Sequence, residues 1–333
     1  MAKLATRRGS MRSLLSPVLR PIYNPLRHYY SLVRVRTAGL NVSAPQSISM
    51  DCSHEEMANR MRTAVSPRVR WKSFDLDGAE LRGRFDSYFT QHREIYGIDK
   101  GRGKALEHWL GLELLDFTRV GRYCDVASCA SPFQKAFPEH YPQVEFWVQD
   151  LMYADDLPNR RLGGFAQKMT AVPGGFFDAL TLHNSFEHFM WNSDSEFVAE
   201  VDRVLSPTGA CLILPLYTAA TARIYFDPVA VTPSLLRTYD PGAELIPVRG
   251  FANQEHARCY DAVTLEQRII SRVPETLQAT IIDFAGGEKL APEMYPEFAL
   301  VLHRAESVFG LYAAGGRRED FGASVGCGPN RDV

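Results

Sequence analysis

The chain has 333 residues, of which 45% are hydrophobic and 23% charged, and its formal net charge is −2. That composition excludes an intrinsically disordered or collagen-like chain, and the length is ample for one large core or two smaller ones. The near-zero balance excludes a bulk electrostatic attraction to nucleic acid, so no nucleic-acid partner is expected.

Residues 1–50 contain no Asp or Glu but carry Lys3, Arg7, Arg8, Arg12, Arg20, Arg27, Arg34 and Arg36. Among them sit Leu14, Leu15, Val18, Leu19, Ile22, Tyr23, Leu26, Tyr29 and Tyr30. This is a basic N-terminal arm. Interleaved basic and apolar residues suit an anionic membrane surface. An acid-free, Arg- and Ser-rich start also suits an organelle transit peptide. The plainer alternative is a flexible arm, or a basic helix packed on the acidic remainder. Pro17, Pro21 and Pro25 exclude one continuous helix. No apolar run reaches the ~18 residues that a membrane span needs. The six cysteines form no C-x-x-C pair, so neither structural zinc nor any other metal is expected, and a reducing cytoplasm fits best. Peripheral membrane contact through the arm stays open.

Residues 51–118 read as a mainly helical extension. Short helices are expected at 55–64 and 80–95, the latter broken at Gly83. Lys104 to Phe117 is a better one, with Leu106, Trp109, Leu110, Leu114 and Leu115 on one face. An α/β domain is expected over 119–305. Its first strand is Tyr123–Ala127, its first helix Pro132–Tyr141 and its second strand Val144–Val148. Residues 151–164 read as a loop rich in Asp, Asn, Pro and Gly. Phe177 to Leu182 is then a strand, ending in the polar cluster His183, Asn184, Ser185, Glu187 and His188. A helical segment follows, with Phe197, Val198, Val201, Val204 and Leu205 at three- and four-residue spacing. Pro207 and Gly209 break it, and Ala210–Leu214 is the next strand. Residues 217–262 read as an insertion or lid, Leu265–Ser271 as a helix, and Leu277–Phe284 with Phe298–His303 as a closing strand pair. The remainder, 306–333, reads as a tail, loose and Gly-rich from Gly315.

The middle of this pattern resembles the class I S-adenosylmethionine-dependent methyltransferases. Phe177-Asp178, the Glu187-His188 pair, Arg203 to Gly209 (RVLSPTG) and the strand Cys211–Leu214 carry the resemblance, which extends over roughly 120–303. It implies a doubly wound, mostly parallel, seven-stranded Rossmann-like α/β sheet. It also implies S-adenosyl-L-methionine as cofactor and a methyltransferase activity.

The resemblance assigns a cofactor loop to Asp125 through Pro132. Asp125 is in place, but Ala127, Cys129 and Ser131 stand at the glycine positions, with Ser128 between. None tolerates a positive φ as glycine does. The residues are small enough for a cofactor without phosphates, yet the loss of every glycine also fits a fold that has lost its ligand. Asp150 matches the acid that holds the ribose hydroxyls, or else simply opens a loop. Phe165 and Gln167 match the adenine-side segment; Phe165 either stacks on adenine or belongs to the core.

His183, Glu187 and His188 are the candidates for catalysis. An imidazole titrates near ~6.5 and suits a base, and His183 is the better placed to face substrate. Glu187-His188 alternatively caps a helix or bonds backbone under the sheet edge. His256, Arg258 and Tyr260 alternate, so in an extended stretch they share one face. That face suits an anionic or polyhydroxyl substrate; the alternative is a solvated loop with Arg258 paired to Asp261. The insertion, this cluster and the arm together suggest a small-molecule acceptor such as a sugar or lipid-linked glycan. The competing reading is an inactive methyltransferase-like scaffold that binds a partner or a membrane surface. A nicotinamide enzyme is disfavoured, since no G-x-G-x-x-G follows a strand.

Overall fold

The computed structural model describes residues 33, 35–40, 52–97, 101–129, 131–248, 255–291 and 297–310. Its strands are β1 (Arg70–Asp75), β2 (Arg122–Val126), β3 (Glu145–Asp150), β4 (Arg161–Gly163), β5 (Phe177–His183), β6 (Leu205–Leu214), β7 (Arg223–Phe226), β8 (Glu244–Pro247), β9 (His256–Cys259), β10 (Gln278–Ala285) and β11 (Phe298–His303). The helices are α1 (His54–Ala64), α2 (Ala79–Gln91), α3 (Arg93–Tyr96), α4 (Gly101–Leu114), α5 (Phe133–His140), α6 (Ser193–Val204), α7 (Pro233–Tyr239) and α8 (Ala262–Arg268).

The central sheet has the order β4-β3-β2-β5-β6-β11-β10-β1. Every pair is parallel except those made by β11, which runs antiparallel to β10 and β6. The order reverses between β2 and β5: β3 and β4 lie on one side of β2, and β5 and β6 on the other. Such a switch opens a crevice at the carboxyl ends of the two central strands, which is where open α/β sheets bind ligands. The sheet is buried on both faces, as an all-but-parallel sheet must be. Leu180, Leu182, Cys211 and Ile213 pack under α6 and α8, whereas Tyr123, Ala179, Leu212 and Leu214 pack under α4 and α5.

The sheet has eight strands rather than seven. The extra one, β1, lies in the extension expected to be helical. Only Phe74 is buried along its length, so its sequence carries little strand signal; six-residue pairing with β10 holds it. Residues 151–164 likewise contain the short strand β4, stabilised by pairing with β3. Helix α2 runs straight through Gly83, which meets nothing within 4 Å. Helix α1 is set by its termini: the Ser53 side chain accepts from the Glu56 amide, and Glu55 and Glu56 occupy the first turn. A reciprocal capping box between Asp261 and Thr264 starts α8.

Residues 217–262 fold into a three-stranded sheet of order β8-β7-β9 with α7 connecting β7 to β8. Val308 and Phe309 of the expected tail are buried, and Asp116 and Val308 bond through their backbones. Residues 311–333, and the arm except 33 and 35–40, lie outside the described residues, and with them the reading of the arm as a membrane contact. Among the described residues no helix is long and apolar enough to cross a membrane.

Candidate functional site

The loop after β2 is the informative element. Ala127 has φ 53° and Cys129 φ 33°, so two of the three residues at the missing-glycine positions adopt the left-handed backbone that glycine would supply; Ser131 does not. For a residue with a Cβ this costs about 1–2 kcal/mol. The surroundings hold the conformation. The Ala127 amide donates to Gln149 Oε1 (3.2 Å) and the Ser128 amide to the Gln149 carbonyl (3.0 Å). The Cys129 amide donates to Asp150 Oδ2 (2.9 Å). The Ser131 amide returns to the Ser128 carbonyl at 2.8 Å, and Ser131 Oγ accepts from the Phe133 amide at the start of α5. Ser128 Oγ accepts from Gln134 Nε2.

Asp125 ends β2 and is buried. Its Oδ1 accepts from His183 Nδ1 at 3.2 Å, while Oδ2 has no partner. Thr181 Oγ1 lies 3.3 Å from both groups. The donation fixes the His183 tautomer and leaves Nε2 as an unpartnered, buried lone pair. Ser185 Oγ and Glu187 Oε2 are also buried without a partner. Orphaned polar atoms are costly, at about 1–3 kcal/mol each, and these four belong to β2, β5 and the turn after β5, at the β2–β5 switch.

The next positions fall beside it. Asp150 ends β3, buried, with its oxygens receiving the Met152 and Cys129 amides. Each oxygen keeps a second lone pair. Phe165 is 53% exposed, so it is not core; Leu151 and Met152 are exposed beside Asp150 in the chain. Gln167 donates from Nε2 to Ser193 Oγ (2.9 Å) and ties its turn to α6.

On the other side of the crevice, burial pushes the Glu187 carboxyl up to about 8, so it keeps its proton at neutral pH. His188 Nδ1 donates to the His256 carbonyl at 2.5 Å, and its Nε2 is 3.4 Å from Glu187 Oε1. Burial lowers the His188 pKa. His188 therefore attaches β9 to the catalytic-side turn.

Arg258 and Tyr260 are buried, with their polar groups bonded inside the fold. Arg258 Nε and Nη2 donate to Asp240 (3.1 and 3.0 Å), and Nη1 to Asp194 (3.0 Å) and the Phe189 carbonyl (2.9 Å). Nη2 also reaches the Trp191 carbonyl at 3.1 Å. Tyr260 donates to Asp194 at 2.8 Å, and Arg268 joins both carboxylates. The result is a buried, charge-balanced cluster that clasps the insertion to α6 and α8. Burial would raise the Asp194 pKa, but Arg258 and Arg268 outweigh it and hold the carboxyl below its usual value. His256 is buried with both ring nitrogens unpartnered; burial, then Arg258, push its pKa well down.

Helix α4 contributes residues that the sequence did not flag. Lys104 Nζ pairs with Glu107 Oε2 (2.8 Å) and donates to the His183 carbonyl (3.2 Å). His108 packs edge-on against His183 at 4.7 Å and bonds Ser131 Oγ through Nε2 and Tyr96 Oη through Nδ1. Gly111 admits the His183 ring: a Cβ there would lie 2.9 Å from Nε2. Tyr217, beyond β6, donates to Asn184 Oδ1 at 2.6 Å, and Asn184 has φ 53°. The signal for α4 was present as charged residues within a segment that is apolar on its other positions.

Residues 125–213 match the family described as methyltransferase domain. No curated protein matches the chain. Among solved structures, it is similar to an O-methyltransferase family protein from Burkholderia thailandensis, at 15% identity over 69% of this chain and 61% of that one, TM-score 0.38. It is similar to a SAM-dependent methyltransferase from Archaeoglobus fulgidus, at 12% identity over 65% of this chain and 99% of that one, TM-score 0.35. A third is a Burkholderia thailandensis 1,6-didemethyltoxoflavin-N1-methyltransferase, solved with its namesake ligand and S-adenosylhomocysteine, at 13% identity over 78% and 93%, TM-score 0.36. The chain spans less than two thirds of the length of the first of these.

Proposed function

We propose that this chain, whose residues 125–213 match the methyltransferase domain family, is a class I S-adenosylmethionine-dependent methyltransferase that transfers a methyl group to a neutral small-molecule acceptor. The left-handed Ala127 and Cys129 carry the reading. A loop that had lost its ligand has no reason to retain two strained residues at the glycine positions. The same observation weighs against the inactive scaffold.

The residues present fit the cofactor. Asp150 has lone pairs for two vicinal hydroxyls, the orphaned Asp125 Oδ2 offers an anionic acceptor, and Phe165 offers an exposed ring. When bound, S-adenosylmethionine supplies an activated methyl group. The chain's own residues position and desolvate the acceptor. His183, held by Asp125, accepts a proton at Nε2. Glu187, protonated, donates a hydrogen bond rather than acting as a base. Lys104 is paired with Glu107 and Arg258 with its two carboxylates, so neither of these two cations is offered to an anionic substrate. A neutral hydroxyl compound such as a sugar is the acceptor class that this favours.

Isothermal titration with S-adenosylhomocysteine tests the reading. Micromolar binding is expected for the wild type and loss of at least tenfold in Asp125→Ala and Asp150→Ala. A folded wild type that binds nothing at millimolar ligand would overturn it.

A further inference from the structure

Two strained residues in one loop require a restraint: Asp150 takes the Cys129 amide, and one buried carboxamide takes that of Ala127. Gln149 sits on β3 opposite Val126 and is 1% exposed. Its Oε1 accepts from the Ala127 amide and its Nε2 donates to the Gly164 carbonyl at 2.6 Å. Gly164 is itself left-handed, with φ 83°. A single carboxamide thus bridges the loop after β2 to the loop after β4. The Gln149 carbonyl and the neighbouring Asp150 carboxylate take the next two amides, of Ser128 and Cys129.

We propose that Gln149 is a positioning residue that stands in for the missing glycine at Ala127, holding that residue in the ligand-ready left-handed conformation while Asp150 holds Cys129, and fixing the width of the cofactor crevice. The proposal rests on the cofactor reading above. Without the bridge, Ala127 relaxes to negative φ, and each binding event must first restore the strained form. With glycine at both positions no such restoration is needed, so the bridge becomes dispensable. Gln149 touches neither cofactor nor acceptor; it acts through the loop.

The experiment is a coupling cycle read by titration of S-adenosylhomocysteine. Gln149→Met keeps the buried volume and removes both hydrogen bonds. It is made alone and in the Ala127→Gly/Cys129→Gly background, with thermal unfolding followed in parallel. Gln149→Met alone is expected to lose about tenfold in affinity, which is about 1.4 kcal/mol. The triple variant is expected to bind within about threefold of the glycine double variant. Gln149→Glu, which keeps an acceptor for Ala127 and loses the donor to Gly164, serves if the Met variant unfolds, with the same expected rescue. Wild-type affinity in the single variant, or an equal loss in both backgrounds, overturns the proposal while leaving the cofactor reading intact. Absence of binding by the folded wild type removes the cofactor reading and this proposal with it.

Discussion

Replacing Arg258 with methionine separates a structural clasp from a substrate ligand. The guanidinium makes five contacts within 3.1 Å, to Asp194, Asp240 and the carbonyls of Phe189 and Trp191. Methionine fills much of the volume but leaves two buried carboxylates facing one guanidinium. Removing one partner of a buried ion pair costs about 3–5 kcal/mol. Arg268 still reaches Asp194 at 2.7 Å and Asp240 at 3.3 Å, so the lower end, about 3 kcal/mol, is expected. For a chain of this length that corresponds to a fall in Tm of roughly 4 °C. Arg258→Lys keeps the charge but not the fork, and should cost about 1–2 kcal/mol. Urea unfolding gives both values, and limited proteolysis should show earlier cleavage within 217–262. A loss under about 0.5 kcal/mol for Arg258→Met is what a solvated or substrate-facing arginine would give, and would refute the clasp.

Glu187→Gln should flatten a pH dependence. The folded carboxyl titrates at about 8 against 4.5 when free, so the folded state holds the extra proton between those values, and stability falls as pH rises through that window by at most about 1.4 kcal/mol per unit. Parallel wild-type and Gln curves from pH 5 to 8 would contradict it. Gly111→Ala ought to gain about 1 kcal/mol of helix propensity. Because the new Cβ lies 2.9 Å from a His183 ring penned by His108 and Phe133, a net loss of about 1 kcal/mol is expected instead, and a raised Tm would show that the ring moves freely. Phe165→Ala should weaken S-adenosylhomocysteine about tenfold if the ring stacks on adenine, with Tm unchanged because the ring is half-exposed; an unchanged Kd assigns the residue elsewhere.

What the sequence carried well was the strand–loop–helix–strand run now seen as β5, α6 and β6, and the closing pair β10–β11, because buried parallel strands and their covering helix write their burial into continuous apolar runs. Asp125 and Asp150 were legible as the acids that end β2 and β3. Strands β1 and β4 were not, since edge pairing rather than side-chain pattern makes them strands. Arg258 invited pairing with Asp261, three residues away. Its partners are 18 and 64 residues off, brought close only by the fold. Lys104, Glu107 and His108 looked like the solvent side of an amphipathic helix, yet α4 is buried nearly all round, so its polar residues line the crevice. Backbone conformation was the deepest loss: Ala127 and Cys129 do not tolerate a positive φ as glycine does, yet amide partners on the adjacent strand hold both there.

The extension and the insertion converge on one crevice. Helix α4 closes it from the α5 side of the sheet, and β9 with Tyr217 closes it from the other. Between them the fold tolerates three left-handed residues with side chains (Ala127, Cys129 and Asn184), an unpartnered carboxylate oxygen on Asp125, an unpartnered nitrogen on His183 and an uncommonly protonated Glu187. Each of these lowers stability, and apolar side chains would remove most of the cost. Elsewhere the same fold satisfies its buried charges fully, as the Asp194–Arg258–Arg268–Asp240 cluster demonstrates. Buried polar atoms without a partner also occur elsewhere, at Trp147, Ser206 and Gln278 for example, but four of them, on Asp125, His183, Ser185 and Glu187, fall on β2, β5 and the turn after it, at the strand-order switch.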